Sequence, residues 1–275
     1  MAIENFIPEI WASALLQAYH ANAIVTPTVT GEYEGTAARG NTVHITTITT
    51  PTIHDYKAAT RSLTPDALAD TDTDLLIDQE KAFGFKVDDI DAIQAAGSFD
   101  SVTSDAGMAL VEDAESYLLS QMLAHGTNTN VGTAAVTDFT KAYNALKSCR
   151  TALGKAKVPS MRRFAVVNPE FSDLLLDPAG NLAKANEAGT ASNLQNGAIT
   201  GRLLGFDAVL ESPLLNSGTP TCIGYQMQGA AFVSQMDKVE TLRSQDGFHD
   251  IVRGLHVYGV KVIRPTSVQV FASHT

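Results

Sequence analysis

Alternating carboxylates, scattered histidines and two cysteines are the side chains in this 275-residue chain with chemical potential. The stretch "DTDTD", Asp70–Asp74, resembles the opening of a calcium loop. Such a loop requires Gly at its sixth position and a bidentate Glu at its twelfth. Here those positions hold Leu75 and Lys81, so the ligand set is incomplete and the stretch is expected to be an acidic, exposed turn. None of the histidines (His20, His44, His54, His125, His249, His256, His274) stands at zinc-ligand spacing from another His or a Cys. His44 and His54 flank a strand and are expected to face solvent, whereas His125 falls at a helix C-terminus, where positive charge is favourable. Nucleophile-elbow, Walker and dinucleotide-binding motifs are missing. "GRLLGF" has two glycines and no Lys–Ser/Thr, which a turn explains. The expectation is therefore no catalytic residue, no cofactor, no metal and no enzyme. Cys149 and Cys222 lie far apart without companions, so no disulfide framework is expected, which suits folding in a reducing cytoplasm.

Charge excludes further classes. The net charge is −11, and it is concentrated. Residues 31–91 hold twelve acids and five bases, while 92–160 hold six and five, and 161–275 ten and nine. No basic patch is present to neutralise phosphates, so tight, direct nucleic-acid binding is not expected. Charged residues make up 18% of the chain, below the usual quarter, and this hints at a surface that meets other protein. No stretch approaches the ~20 consecutive apolar residues of a membrane span, and the N-terminus lacks the basic start of a secretory signal.

The elements follow from periodicity. Residues 8–22 read as a short amphipathic helix carrying Trp11, the only Trp, beside Leu15. "NTVHITTITTPTIHDY" is rich in β-branched residues and reads as extended, with a bulge at Ile48 where the alternation breaks. A second extended stretch covers 75–91, and with the polar segment between them the two make a long hairpin. Residues 101–125 place Gly107, Val111, Ala114, Leu118 and Met122 on one helical face, with Glu112, Asp113 and Glu115 elsewhere and Gly126 as the stop. A helix over 138–153 starts from Thr137 as N-cap. A buried strand at Phe164–Val167, a turn at Asn168–Pro169 and a short helix come next, then a loop over 178–201 and three later strand regions. Helix and strand mix without βαβ order, so the fold class is α+β.

Four stretches in order resemble the HK97-like major capsid protein family of tailed bacteriophages. They are "FIPEIWASALL", "GEYEGTAARGNTVHI", "DQEKAFGFKVDDID" and "VETLRSQDGFHDIVRGLHVYGVKVIRP", and together they span nearly the whole chain. The resemblance implies an N-terminal arm over 1–30, an extended-loop hairpin over 31–91 and a peripheral domain with its spine helix over 92–134. An axial domain over 135–220 and a return to the peripheral domain over 221–275 complete it. It also implies a coat protein that forms hexamers and pentamers of an icosahedral shell around double-stranded DNA, without sequence-specific contacts and with no membrane. The implied partners are copies of the chain itself, a separate scaffolding protein (expected because the chain opens on the arm), a portal and a decoration protein. The implied location is the virion capsid, assembled in the bacterial host cytoplasm.

Phe6, Ile7, Trp11 and Leu15 in the arm, with Tyr56, Lys57 and Arg61 at the hairpin tip, are the expected inter-subunit contacts. Lys57 and Arg61 suit docking on an acidic neighbour, and a solvated tip explains them equally. Exposed ion pairs contribute only ~0–1 kcal/mol each, so apolar burial by arm and ribbon must supply most of the contact energy. Two other readings remain open here: an encapsulin-like compartment shell, and a soluble α+β enzyme or binding domain.

Overall fold

The computed structural model describes residues 24–33, 40–48, 51–55, 61, 66–67, 70–88, 100–128, 135–177, 203–215, 218–244 and 247–272. Three helices and ten strands form among them. Strand β1 (Thr42–Ile48) pairs antiparallel with β2 (Asp70–Leu76) as a two-stranded ribbon. The third strand, β3 (Gln79–Asp88), joins β9 (His249–Val262), which in turn pairs with β8 (Ala230–Arg243). A five-stranded sheet runs in the order β4 (Thr127–Asn128), β10 (Val268–Ala272), β7 (Thr221–Gln226), β5 (Arg163–Val167), β6 (Ala208–Glu211).

Helix α1 (Asp100–His125), roughly 39 Å long, lies on the three-stranded sheet. Its Val111, Ala114, Leu118 and Met122 are buried, the face that the 3.6-residue spacing predicts. Tyr258 on β9 donates a hydrogen bond to Asp113 Oδ2 at 2.8 Å and meets Tyr117 edge-on, which fixes the helix on the sheet. Gly126 ends the helix because a Cβ there would stand 2.6 Å from both Met122 O and Val270 Cγ2. This close approach lets the chain turn directly into β4.

Helices α2 (Phe139–Lys155) and α3 (Pro169–Leu175) pack with the five-stranded sheet. Asp138, not Thr137, caps α2, its side chain accepting from Lys141 N–H at 2.8 Å; an Asp and a Thr are both competent, and the extended backbone at Asp138 decides. Asn168 closes the turn after β5. Fully buried, it accepts from the Phe171 and Thr221 N–H groups at 3.1 and 3.0 Å and donates to Thr219 O at 2.7 Å. One side chain thereby caps α3 and ties the turn to the start of β7.

Several expectations are corrected. "DTDTD" is not a turn but strand β2, and the hairpin returns through it rather than through Phe83–Val87. Cross-strand pairing with Val43 and Ile45 outweighs the poor strand propensity of Asp, because every second residue faces solvent. Ile48 pairs with Asp70 in unbroken register, so no bulge forms there. The register shift falls in β8 between Ser234 and Met236, and the extra residue, Gln235, donates to Gly40 O at 2.9 Å. Glu115 is 2% exposed, on the core side of α1 rather than its wet side.

Candidate assembly surface

The described chain is rooted on the body at its first residues. Ile24 N–H donates to Glu115 Oε2 at 3.0 Å, and the Val25 N–H also supports this carboxylate. Burial pushes the Glu115 carboxyl above its ordinary range, and the two N–H groups offset part of that rise. A short 3-10 turn over Thr26–Thr28 follows. Thr28 Oγ1 donates to Val25 O at 2.6 Å and meets the buried Tyr225 hydroxyl. Thr30 then bridges to β8: its N–H donates to Ala230 O at 3.2 Å and its carbonyl accepts from Phe232 N–H at 3.1 Å. Val25 and Val29 are buried in the core that holds α1 and Tyr225.

The ribbon has the second root. Along β1 and β2 one face presents Val43, Ile45 and Leu75, continued by Ile77, and these pack on Ala231 and Val233 of β8. Ile77 N–H donates to Asn41 O at 2.8 Å and closes the base. Where the ribbon crosses β9, Gly259 allows the approach, because a Cβ there would meet Leu76 O at 2.4 Å. The ribbon's root thus completes its packing on its own body, which corrects the expectation that its apolar side needs a sister chain.

The other face of the ribbon is polar and acidic. His44, Thr46, Asp70, Asp72 and Asp74 share it, and all are exposed. His44 Nδ1 pairs with Asp74 Oδ1 at 2.6 Å. Farther out, Asp66 accepts from Thr52 N–H at 2.9 Å and faces His54 Nε2 at 3.3 Å; these contacts, the backbone one first, hold its carboxyl below the usual range. His44 and His54 are therefore exposed as expected, but each is matched with an aspartate that spacing did not reveal. Ile53 stands 96% exposed on this outer segment, and Phe248, between β8 and β9, is 78% exposed. Exposed large apolar groups of this kind mark contact surfaces when they cluster with protruding elements.

Of the expected contact residues, Arg61 is exposed, with a left-handed backbone (φ 62°) that suits a turn. Phe6, Ile7, Trp11, Leu15, Tyr56 and Lys57 lie outside the described residues. Among the described residues no cluster of His, Cys, Asp or Glu could hold a metal, and no helix is long and apolar enough to cross a membrane. Sequence reasoning missed Glu115 and Gly259. The signal for Glu115 was its spacing: it sits one residue from Ala114 and three from Leu118, at the edge of the apolar stripe.

Comparison with known proteins accords with this geometry. No curated protein matches the chain. Residues 71–271 match the family described as phage capsid protein. The fold is similar to a chain of Mycobacterium phage Che8, with 42% identity, a TM-score of 0.82 and 90% of each chain covered. It is also similar to the capsid of cyanophage P-SCSP1u, with 15% identity, a TM-score of 0.69, and 86% of this chain and 85% of that chain covered. A virus-like particle from Pyrococcus furiosus shares the fold at 14% identity and a TM-score of 0.62, covering 96% of this chain and 98% of that chain. Those last two likenesses are of fold alone, so the choice among shell proteins rests on the family match, which spans most of the chain. The chain belongs to the phage capsid protein family, as a major capsid protein of HK97-like fold that assembles with copies of itself into an icosahedral coat.

Proposed function

We propose that the subunit forms hexamers and pentamers that enclose double-stranded DNA, with the arm and the ribbon as the elements that cross between subunits. The arm is shorter than the expected 1–30, because residues 24–30 are packed on the subunit's own body; residues 1–23 act as the arm and the ribbon works as the extended loop. Helix α1 and the three-stranded sheet form the peripheral part, and the five-stranded sheet with α2 and α3 forms the axial part; that sheet takes β4, β7 and β10 from outside 135–220, so the axial part is not one continuous segment. The observation that carries this reading is the pair of roots. Glu115 and Thr30 hold residues 24–30 on the body, and the Gly259 crossing seats the base of the ribbon. Each root is packed in its own core, while the ribbon's outer face and Ile53 remain exposed. Stable interfaces of this class bury roughly 2,000 Å2 or more, and protruding elements supply such area where a flat contact would not.

In this reading the DNA is confined by the wall rather than read by it, consistent with a net charge of −11. The subunit does no catalysis, and a separate scaffolding protein, a portal and a decoration protein serve the same shell in the bacterial cytoplasm. Deleting residues 1–23 tests the proposal, because those residues precede the Glu115 anchor. The expected result is a subunit that melts within a few degrees of the full chain but yields open sheets or free capsomers by electron microscopy. Closed shells at full yield would overturn the role of the arm, and an unfolded product would assign it to the subunit's own core.

A further inference from the structure

Cys149 and Cys222, distant in sequence, meet in the core of the axial part. Cys149 lies on the buried side of α2 and Cys222 on β7, and their sulfurs stand 3.9 Å apart. Both side chains are fully buried. The helix crosses this strand closely: a Cβ built on Gly224, two residues along from Cys222 on the same face, would stand 3.1 Å from Cys149 Cβ. The sequence reading of two unrelated cysteines is therefore corrected, since the fold brings them into contact. We propose that this pair is a latent intrachain cross-link, a modification site at which a small peroxide converts the two thiols into a disulfide that ties α2 to β7.

The chemistry balances with hydrogen peroxide as the oxidant. One cysteine loses its proton and its thiolate attacks a peroxide oxygen, giving a sulfenic acid; the expelled hydroxide takes up that proton as water. The second sulfur then attacks the sulfenic sulfur, the S–S bond forms, and the hydroxyl leaves with the second thiol's proton as a second water. Two electrons pass from the cysteine pair to the peroxide, and two thiols and one peroxide become one disulfide and two waters. The contact with Cys149 and burial push the Cys222 thiol well above its ordinary range, so the thiolate is scarce and the reaction is slow. An oxidant as small as peroxide suits a site with no open path, and the adjacent thiol intercepts the sulfenic acid before further oxidation. The disulfide requires the sulfurs to close from 3.9 Å to a bond of about 2.05 Å, through side-chain rotation and movement of α2 toward β7. The inference rests on the core geometry and is independent of the proposed roles of the arm and ribbon.

The test exposes the purified, full-length protein to millimolar hydrogen peroxide for hours, quenches it, and maps non-reduced peptides by mass spectrometry. Met161, 76% exposed, is the internal gauge, since its conversion to sulfoxide shows that oxidant was effective. The expected result is a Cys149–Cys222 linked peptide, two hydrogens lighter than the sum of its parts. The cross-link closes a span of 73 residues, so the oxidised protein should melt on the order of 5–10 °C higher than the reduced one. Reduction should reverse that rise, and Cys222→Ser should not show it. In Cys222→Ser, Cys149 should instead gain oxygen atoms. Two unmodified cysteines beside fully oxidised Met161 would overturn the proposal, as would sulfinic or sulfonic acid on either cysteine of the unsubstituted chain.

Discussion

Replacing Gly259 with Ala should loosen the ribbon without harming the body beneath it. A Cβ at this position would lie 2.4 Å from Leu76 O, 2.9 Å from Ile77 Cα and 3.1 Å from Leu76 C, all backbone atoms that no rotamer change can move. To reach ordinary contact, β2 must rise from β9 by about 1 Å. The root rests on four buried side chains, Val43, Ile45, Leu75 and Ile77. Full burial of such a side chain contributes roughly 1.5–3 kcal/mol. A gap of about 1 Å forfeits a quarter to a half of close-contact attraction. The docked ribbon should therefore lose on the order of 3 kcal/mol, about a hundredfold in its opening equilibrium. Hydrogen exchange read by mass spectrometry measures this directly. Amides of β1 and β2 and the Ile77 amide should exchange about a hundredfold faster, while those of β7 in the other sheet stay at their original rate. Shell yield should fall in parallel. Unchanged exchange across residues 70–77 would refute the claim that Gly259 sets the ribbon's seat.

Two further outcomes follow from the buried polar groups. Asn168→Ala removes three hydrogen bonds from a fully buried position, so the subunit should lose about 2–4 kcal/mol in urea titration, and retention of full stability would show that the turn is held by other groups. Glu115→Gln should change the dependence of stability on pH. Burial raises this carboxyl in the folded chain, so the cost of its charge is fully present above the folded pKa and fades as pH falls toward the unfolded value near 4.5. The Gln variant, still able to accept from Ile24 N–H, should exceed the parent in stability at about pH 7–8 and lose that advantage by about pH 4. A parallel pH profile for the two proteins in urea titrations would contradict this assignment.

What the sequence disclosed depended on whether a signal was local. The apolar face of α1, the start of α2 to within a residue and the Asn168–Pro169 turn were legible because periodicity and capping act over a few residues. Strand β2 was hidden because three aspartates in five residues resemble a turn until β1 is laid beside them. For the same reason β3 was misassigned: the alternation at Phe83, Phe85 and Val87 identifies a strand but not its partner, which begins at His249. Glu115 is polar by type and buried by circumstance, since its acceptors' partners arrive from residues 24 and 25. Cys149 and Cys222 converge only once α2 lies across β7. The ribbon was legible in kind, as a hairpin, whereas its seat on β8 and β9 depended on tertiary contacts.

The two fastenings at the start of the described chain have a mechanical consequence. Ile24 is held to the middle of α1, and Thr30 is stitched to β8 of the sheet that α1 covers. A tug on anything upstream of Ile24 is thus delivered into a long rod laid on a sheet. Adjoining tiles that grip this strap would share load through rods and sheets, and the wall would stiffen as the strap is drawn taut.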